Sequence, residues 1–209
     1  SLGNSFAGSL IVFEGLDGSG TTTQSGLLAD YLKEKGHRVL EVEEPGGTGL
    51  GRAVRDLLLE DHGMNIEPLS ELFLYEVSRS QLVREKVIPE LEEGNVIISD
   101  RFAVSSVAYQ GHGRGIPIDV VKTLNGVALN GVEPDATIFL DIDLEERDKR
   151  SSGEKPDRIE KEAREFYRRV REGYLEEIRS MNDAVLIDGT LPKDEISRRV
   201  ISELESELL

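Results

Sequence analysis

The chain reads as an α/β fold, a sandwich in which a mainly parallel five-stranded sheet lies between helices. Three observations predict it. Short runs rich in Val, Ile, Leu and Phe alternate with longer amphipathic stretches along the 209 residues, the rhythm of buried parallel strands joined by crossover helices. No internal repeat or low-complexity segment interrupts that rhythm. The length suits one compact domain with a core of useful size.

The elements follow in order. Strands are expected at 10–14, 39–42, 96–99, 136–140 and 184–187, each apolar enough for burial on both faces. Helices are expected at 22–35, 50–60, 69–93, 118–129, 143–151, 159–181 and 193–208. In the sixth, Phe166, Val170, Tyr174 and Ile178 recur every four residues and mark one buried stripe on a charged helix. Residues 1–8 are small and polar without a charged leader, so they read as a flexible tail, with one domain over 9–209. Residues 147–158, RDKRSSGEKPDR, are basic in an acidic chain, and Gly153 and Pro156 discourage a continuous helix there. That segment reads either as a solvated loop or as a lid whose cations fold over phosphates.

Composition excludes several functions. Lys and Arg number 25 against 41 Asp and Glu, a formal net charge of −16, the wrong sign for a nucleic-acid binder or for docking on an anionic membrane. An acidic whole still allows a small basic pocket for a phosphorylated substrate. With no cysteine, disulfides, zinc–thiolate sites and thiol catalysis are ruled out. His37, His62 and His112 are scattered, without metal-ligand spacing. No apolar run reaches the roughly 20 residues that span a bilayer, and a cytoplasmic protein is expected.

The run from Gly15 through Leu16, Asp17, Gly18, Ser19, Gly20, Thr21 and Thr22 to Thr23 lies between a strand and a helix. It has the frame of a phosphate-binding loop, G-x-x-x-x-G-K-[ST]. Its glycines let backbone N–H groups face inward, and the helix N-terminus adds a favourable dipole. The fold expectation thereby narrows to a P-loop NTPase-type three-layer sandwich with a short lid. Thr22 offers a hydroxyl to Mg²⁺, but Thr21 stands where the motif has lysine. Losing one such donor in comparable sites costs about 3–4 kcal/mol in the transition state. Either another cation substitutes, or turnover is slow, or the chain binds nucleotide without much catalysis. The strand at 96–99 ends in Asp100, placed at the sheet's carboxyl edge where it can hold Mg²⁺ directly or through water. Arg101 beside it suits a phosphate.

Taken together, FEGLDGSGTTTQ at 13–24, EPGGT at 44–48, Tyr75 with Arg79, DRFAVSSVAYQG at 100–111 and DRIE at 157–160 resemble the thymidylate kinase family of nucleoside monophosphate kinases over nearly the whole chain. The resemblance implies transfer of the ATP γ-phosphoryl group to dTMP with Mg²⁺, in a homodimer. It implies that Asp17 lies near the sugar 3′-hydroxyl and the metal, that Pro45 shapes the acceptor pocket, and that Arg101 holds the acceptor phosphate. Tyr75 would stack on thymine and Arg79 hydrogen-bond it. Tyr75 and Arg79 share a helix face, as residues four apart do. Ser105, Ser106, Tyr109 and Gln110 follow at family spacing in the dTMP site, Ser106 where a small polar residue touches the base and Tyr109 where a ring crowds the sugar 2′ position; helix capping is the alternative for one of the two serines. The family commonly has Arg where this chain has Glu43, so no arginine role transfers there. Gly18 in the loop and Arg147, Lys149, Arg150, Lys155 and Arg158 near the lid match the design in which the lid supplies the cations. Arg150 and Arg158 are the expected catalytic cations, covering in part for Thr21. A kinase of another nucleotide, or a catalytically weakened paralogue, are the alternatives.

Overall fold

The computed structural model describes residues 6–151 and 156–207; Lys155 and most of the expected tail lie outside them. Its frame is a five-stranded sheet in the order β2-β3-β1-β4-β5, with every neighbouring pair parallel. The strands are β1 (Ser9–Gly15), β2 (Val39–Glu43), β3 (Val96–Asp100), β4 (Ala136–Asp141) and β5 (Ala184–Asp188). Each expected run becomes a strand, a residue or two longer.

Burial on both faces holds for the three central strands and fails at the edges. In β2 only Val42 is buried, and in β5 only Ile187. An edge strand has one neighbour, so less of its surface is covered. In β1 successive side chains serve opposite layers. Ile11 and Phe13 pack with Leu28 and Leu32 of α1 (Thr21–Glu34) and with Ile196 and Val200 of α9 (Lys193–Glu207). Leu10 and Val12 face Leu82, Val83, Val87 and Leu91. The stripe Phe166, Val170, Tyr174, Ile178 lies buried on α8 (Arg164–Ser180) against Phe139 and Ile142.

The remaining helices are α2 (Gly49–Leu59), α3 (Pro68–Leu82), α4 (Ile88–Glu92), α5 (Ala103–Ser106), α6 (Ile118–Leu129) and α7 (Leu144–Arg150). The helix expected over 69–93 is α3 and α4 joined through a π-helical stretch, Val83–Val87. Pro89 explains the distortion: it lacks an N–H, and its ring would strike the preceding turn of a regular α-helix. The helix expected from 159 begins at Arg164, and 159–163 form turns instead. Residues 6–8, assigned above to the tail, dock beside α4: Gly8 N–H donates to Leu91 O at 2.9 Å, and Phe6 packs on the core.

One helical segment has no counterpart in the sequence reading. Residues 103–113 form α5 and a second π-helical stretch, Val107–Gly113. Its cap comes from another strand: Glu14 of β1 accepts the N–H groups of Phe102 and Ser105 at 2.9 and 3.2 Å. Strand register then assembles the site. Phe13 pairs with Asp100 and Gly15 with Leu140, so the loop after β1 emerges beside the carboxyl ends of β3 and β4.

Candidate active site

The loop after β1 turns where glycine is required. Gly18 and Gly20 have φ of +83° and +97°, open to glycine and strained for other residues. A Cβ on Gly15 would lie 2.3 Å from Ser19 Oγ. Gly20 ends the loop as the N-cap of α1, so Thr21, Thr22 and Thr23 form its first turn, with Thr21 buried. Thr22 Oγ1 donates to Asp100 Oδ2 at 2.6 Å. Asp100 Oδ1 and Ser19 Oγ are buried without a hydrogen-bond partner. Two orphaned oxygens beside a helix N-terminus are suited to an absent charged guest.

Two cavities open beside this loop. The first encloses about 590 Å³, counted out to its mouth, and Asp17, Pro45, Tyr75, Arg79, Arg101, Ser105, Tyr109 and Gln110 all line it. These come from four segments far apart in sequence. The second is lined by Gly18, Arg147, Arg150, Ser151, Pro156 and Glu160. Asp17 borders one and its neighbour Gly18 the other, so the loop separates them.

Arg101 stands at the junction. Its Nη2 donates to Asp17 Oδ1 at 3.0 Å and its Nη1 to Gly15 O at 2.5 Å. Its φ of +71° is unusual for a residue with a side chain. Bonds on both sides hold it there: Arg101 N–H to Phe13 O at 2.8 Å, Ser99 Oγ to Arg101 O at 2.6 Å, and Phe102 N–H to Glu14. Glu14 Oε2 also accepts from Ser105 Oγ at 2.5 Å and Tyr174 Oη at 2.9 Å. Burial raises the Glu14 pKa above the usual carboxylate range, against these donors and Arg101.

Tyr109 packs edge-on against Phe166, Tyr167 and Tyr174, with centroids 6.1–6.4 Å apart. Its hydroxyl accepts the Asp17 N–H at 3.2 Å. Tyr167 Oη lies 3.1 Å from Asp17 Oδ2 and 2.9 Å from Ile159 O.

Arg79 lines the cavity but is only 1% exposed and spends most of its donors inside the protein. Its Nε bonds both Glu44 oxygens, at 2.7 and 3.0 Å. Its Nη1 reaches Glu76, Ser106 and Asn125, and its Nη2 reaches Phe102 O. Ser106 therefore sits behind Arg79 and is absent from the cavity wall. Burial pushes Glu44 up to about 7 although Arg79 pulls it down. The Tyr75 hydroxyl is also raised, by burial and by Glu71 and Asp17.

The expected cations part company. Arg150 bends over the loop, donating from Nη1 to Gly18 O at 3.0 Å and from Nη2 to Gly189 O at 2.8 Å. Arg158 does not approach the loop; it bonds Leu58 O at 2.6 Å and the Glu71 carboxylate. Arg147, another of the basic residues near the lid, lies 3.3 Å over the Tyr167 ring, with Nε and Nη2 buried and unpartnered. Arg55, Glu44, Asp157 and Ile159 also line the first cavity. The basic run foretold Arg147 and the EPGG motif adjoins Glu44, but nothing in the sequence marks Arg55.

Comparison with known proteins agrees with this geometry. The thymidylate kinase family profile matches residues 13–200. A thymidylate kinase of Caldanaerobacter subterraneus subsp. tengcongensis is 44% identical over 202 residues, covering 96% of this chain and 97% of the relative. One of Pelotomaculum thermopropionicum is 48% identical over 170 residues, covering 80% and 79%. The crystal structure of thymidylate kinase from Ehrlichia chaffeensis superposes with a TM-score of 0.79 at 33% identity, covering 94% of this chain and 98% of that one. The sheet order, the loop with its two cavities and these matches over nearly the full length agree: the chain belongs to the thymidylate kinase family.

Proposed function

We propose that this chain transfers the γ-phosphoryl group of ATP to dTMP, giving dTDP and ADP. The observation that carries the reading is Arg101 beside Asp17, at the point where the first cavity meets the phosphate loop. Phosphoryl transfer asks the protein mainly to align two phosphates and neutralise spreading charge. The first cavity takes dTMP, with Arg101 on its phosphate and Tyr75 against the base. Arg79, fixed by four side chains, offers a preorganised donor to a base carbonyl. The Tyr109 ring, held by three aromatic neighbours, crowds the sugar 2′ position, where a hydroxyl would be unpaired. The second cavity and the loop amides take the ATP phosphates, with Arg150 replacing the charge that Thr21 lacks.

Mg²⁺ fits the residues present. Thr22 Oγ1 and Asp100 converge, and Asp100 Oδ1 is an oxygen in want of a partner. Among the described residues no cluster of three or more His, Cys, Asp or Glu forms an all-protein cage. One carboxylate and one hydroxyl, completed by phosphates and water, is the habit of Mg²⁺. When bound it would neutralise the donor phosphates. Asp17, held by Arg101 and Tyr167, stays on the acceptor side.

No helix among the described residues is long and apolar enough to cross a membrane, and the reading places the enzyme in the cytoplasm with its nucleotide substrates. A second copy of the chain is the expected partner, through the apolar outer face of α3. The test is ADP formation from ATP with dTMP, dUMP, CMP, AMP and thymidine as acceptors. dTMP should be preferred, and Arg101→Ala should lower kcat/KM for dTMP by about 10²–10³. Preference for thymidine over dTMP would remove the role of Arg101 and sink the reading.

A further inference from the structure

Glu71 on α3 is a buried carboxylate that the reaction does not use. It is 1% exposed, yet it gathers donors from three residues on two separate segments. Gln110 Nε2 donates to its Oε1 at 2.9 Å. Arg114 Nε and Nη2 donate to Oε1 and Oε2, both at 3.1 Å. Arg158 Nη2 donates to Oε2. Two guanidiniums hold the carboxyl below its usual range despite burial. The charge is therefore fixed, and each cation is fixed by it.

The Arg158 arm matters most. Asp157 and Ile159, its chain neighbours, both line the acceptor cavity. The Arg158 N–H donates to Leu59 O at 2.9 Å and its Nε to Leu58 O at 2.6 Å. Three bonds thus stitch this segment to the end of α2 and to α3, and Leu59 lines the same cavity. On the other arm, Gln110 lines the cavity as well. One carboxylate fixes two parts of the wall around the acceptor.

We infer that Glu71 and Arg158 are positioning residues for the acceptor nucleotide: their ion pair holds the 157–159 segment in place as a wall of the dTMP cavity. This rests on the kinase reading above. It moves Arg158, expected from the sequence as a catalytic lid cation, to the acceptor side. A cation on the transferred group acts on kcat, whereas a wall of the acceptor cavity acts on acceptor binding.

The test separates those two parameters. Arg158→Ala, Arg158→Lys and Glu71→Gln are assayed with dTMP and ATP varied in turn. Arg158→Ala should raise KM for dTMP at least fivefold and leave KM for ATP and kcat within twofold. Arg158→Lys, which keeps the charge, should recover part of the loss. Glu71→Gln leaves two cations facing a neutral amide and can fail to fold; Arg158→Ala leaves Glu71 paired with Arg114, so the proposal stays testable. A second readout is hydrogen exchange at the Arg158 amide, which should quicken in Glu71→Gln and slow again when dTMP is added. A fall in kcat at unchanged KM for dTMP, or no change in either, overturns the inference. If the wild-type protein itself does not turn over dTMP, the kinase reading fails instead.

Discussion

The proposed exchange of a loop lysine for a lid arginine rests on two residues. Thr21 is buried at the first turn of α1 and brings no charge, while the Arg150 guanidinium reaches Gly18 O from α7. Arg150→Ala should lower kcat by about 10²–10³, the usual effect of removing one preorganised donor. Thr21→Lys should add little to the wild type but restore much of the loss in the Arg150→Ala background. Single-turnover rates would check this, and an undiminished Arg150→Ala rate would discard the substitution of one cation for the other. Glu44 gives a second residue-scale prediction. Its pKa rises from 4.5 to about 7 because burial outweighs Arg79. The folded state then binds the proton more tightly than the unfolded chain between those values. Its contribution to stability is complete below pH 4.5 and is lost as pH rises through about 7. The shift corresponds to roughly 3 kcal/mol. Denaturant unfolding at pH 5 and pH 8 should show wild type losing about that much more than Glu44→Gln; equal losses would refute the assignment.

At the level of elements, α8 joins core and site. Its stripe buries Phe166, Val170 and Tyr174, and the same side of the helix sends Tyr167 to Asp17 and Tyr174 to Glu14. Val170→Ala removes two buried methyl groups and should cost about 2 kcal/mol in urea unfolding. Because the tyrosines are anchored on either side of it, KM for dTMP should rise less than twofold; a larger change would mean that α8 packing tunes the site. This stripe was legible as a four-residue period, and the five strands were legible as apolar runs. The helical stretch 103–113 was not, because glycines and β-branched residues weaken its local signal and its cap is Glu14, a residue nearly ninety positions away. The contacts of Arg158 were hidden for a related reason. The sequence showed a basic run, but which acceptors each cation would find depended on the buried Glu71, a helix residue with no motif to announce its contacts. Loop, Asp100 and Arg101 were legible because strand register alone brings them together.

For the whole molecule, the open question is what covers the outer face of α3. Leu69, Phe73 and Val77 are spaced every four residues along it and are 47%, 49% and 40% exposed. Leu50 and Leu57 of α2, which packs beside α3, are exposed as well. An apolar ridge across two adjacent helices is uncommon on a monomer and suits an isologous contact with a second copy. Each copy carries a net charge of −16, so long-range electrostatics opposes association while apolar burial drives it. Salt screens the first and leaves the second nearly intact. Sedimentation equilibrium should therefore show a dimer whose dissociation constant falls as NaCl rises from 0.05 to 0.5 M, roughly from above to below a 10 Å screening length. Phe73→Asp places a charge in the middle of the ridge and should shift the protein to monomer at micromolar concentration. The site should feel it only indirectly: Tyr75 and Arg79 share α3 with the ridge but face the cavity. A monomeric wild type, or a dimer that salt dissociates, would show that the ridge is not what joins the copies.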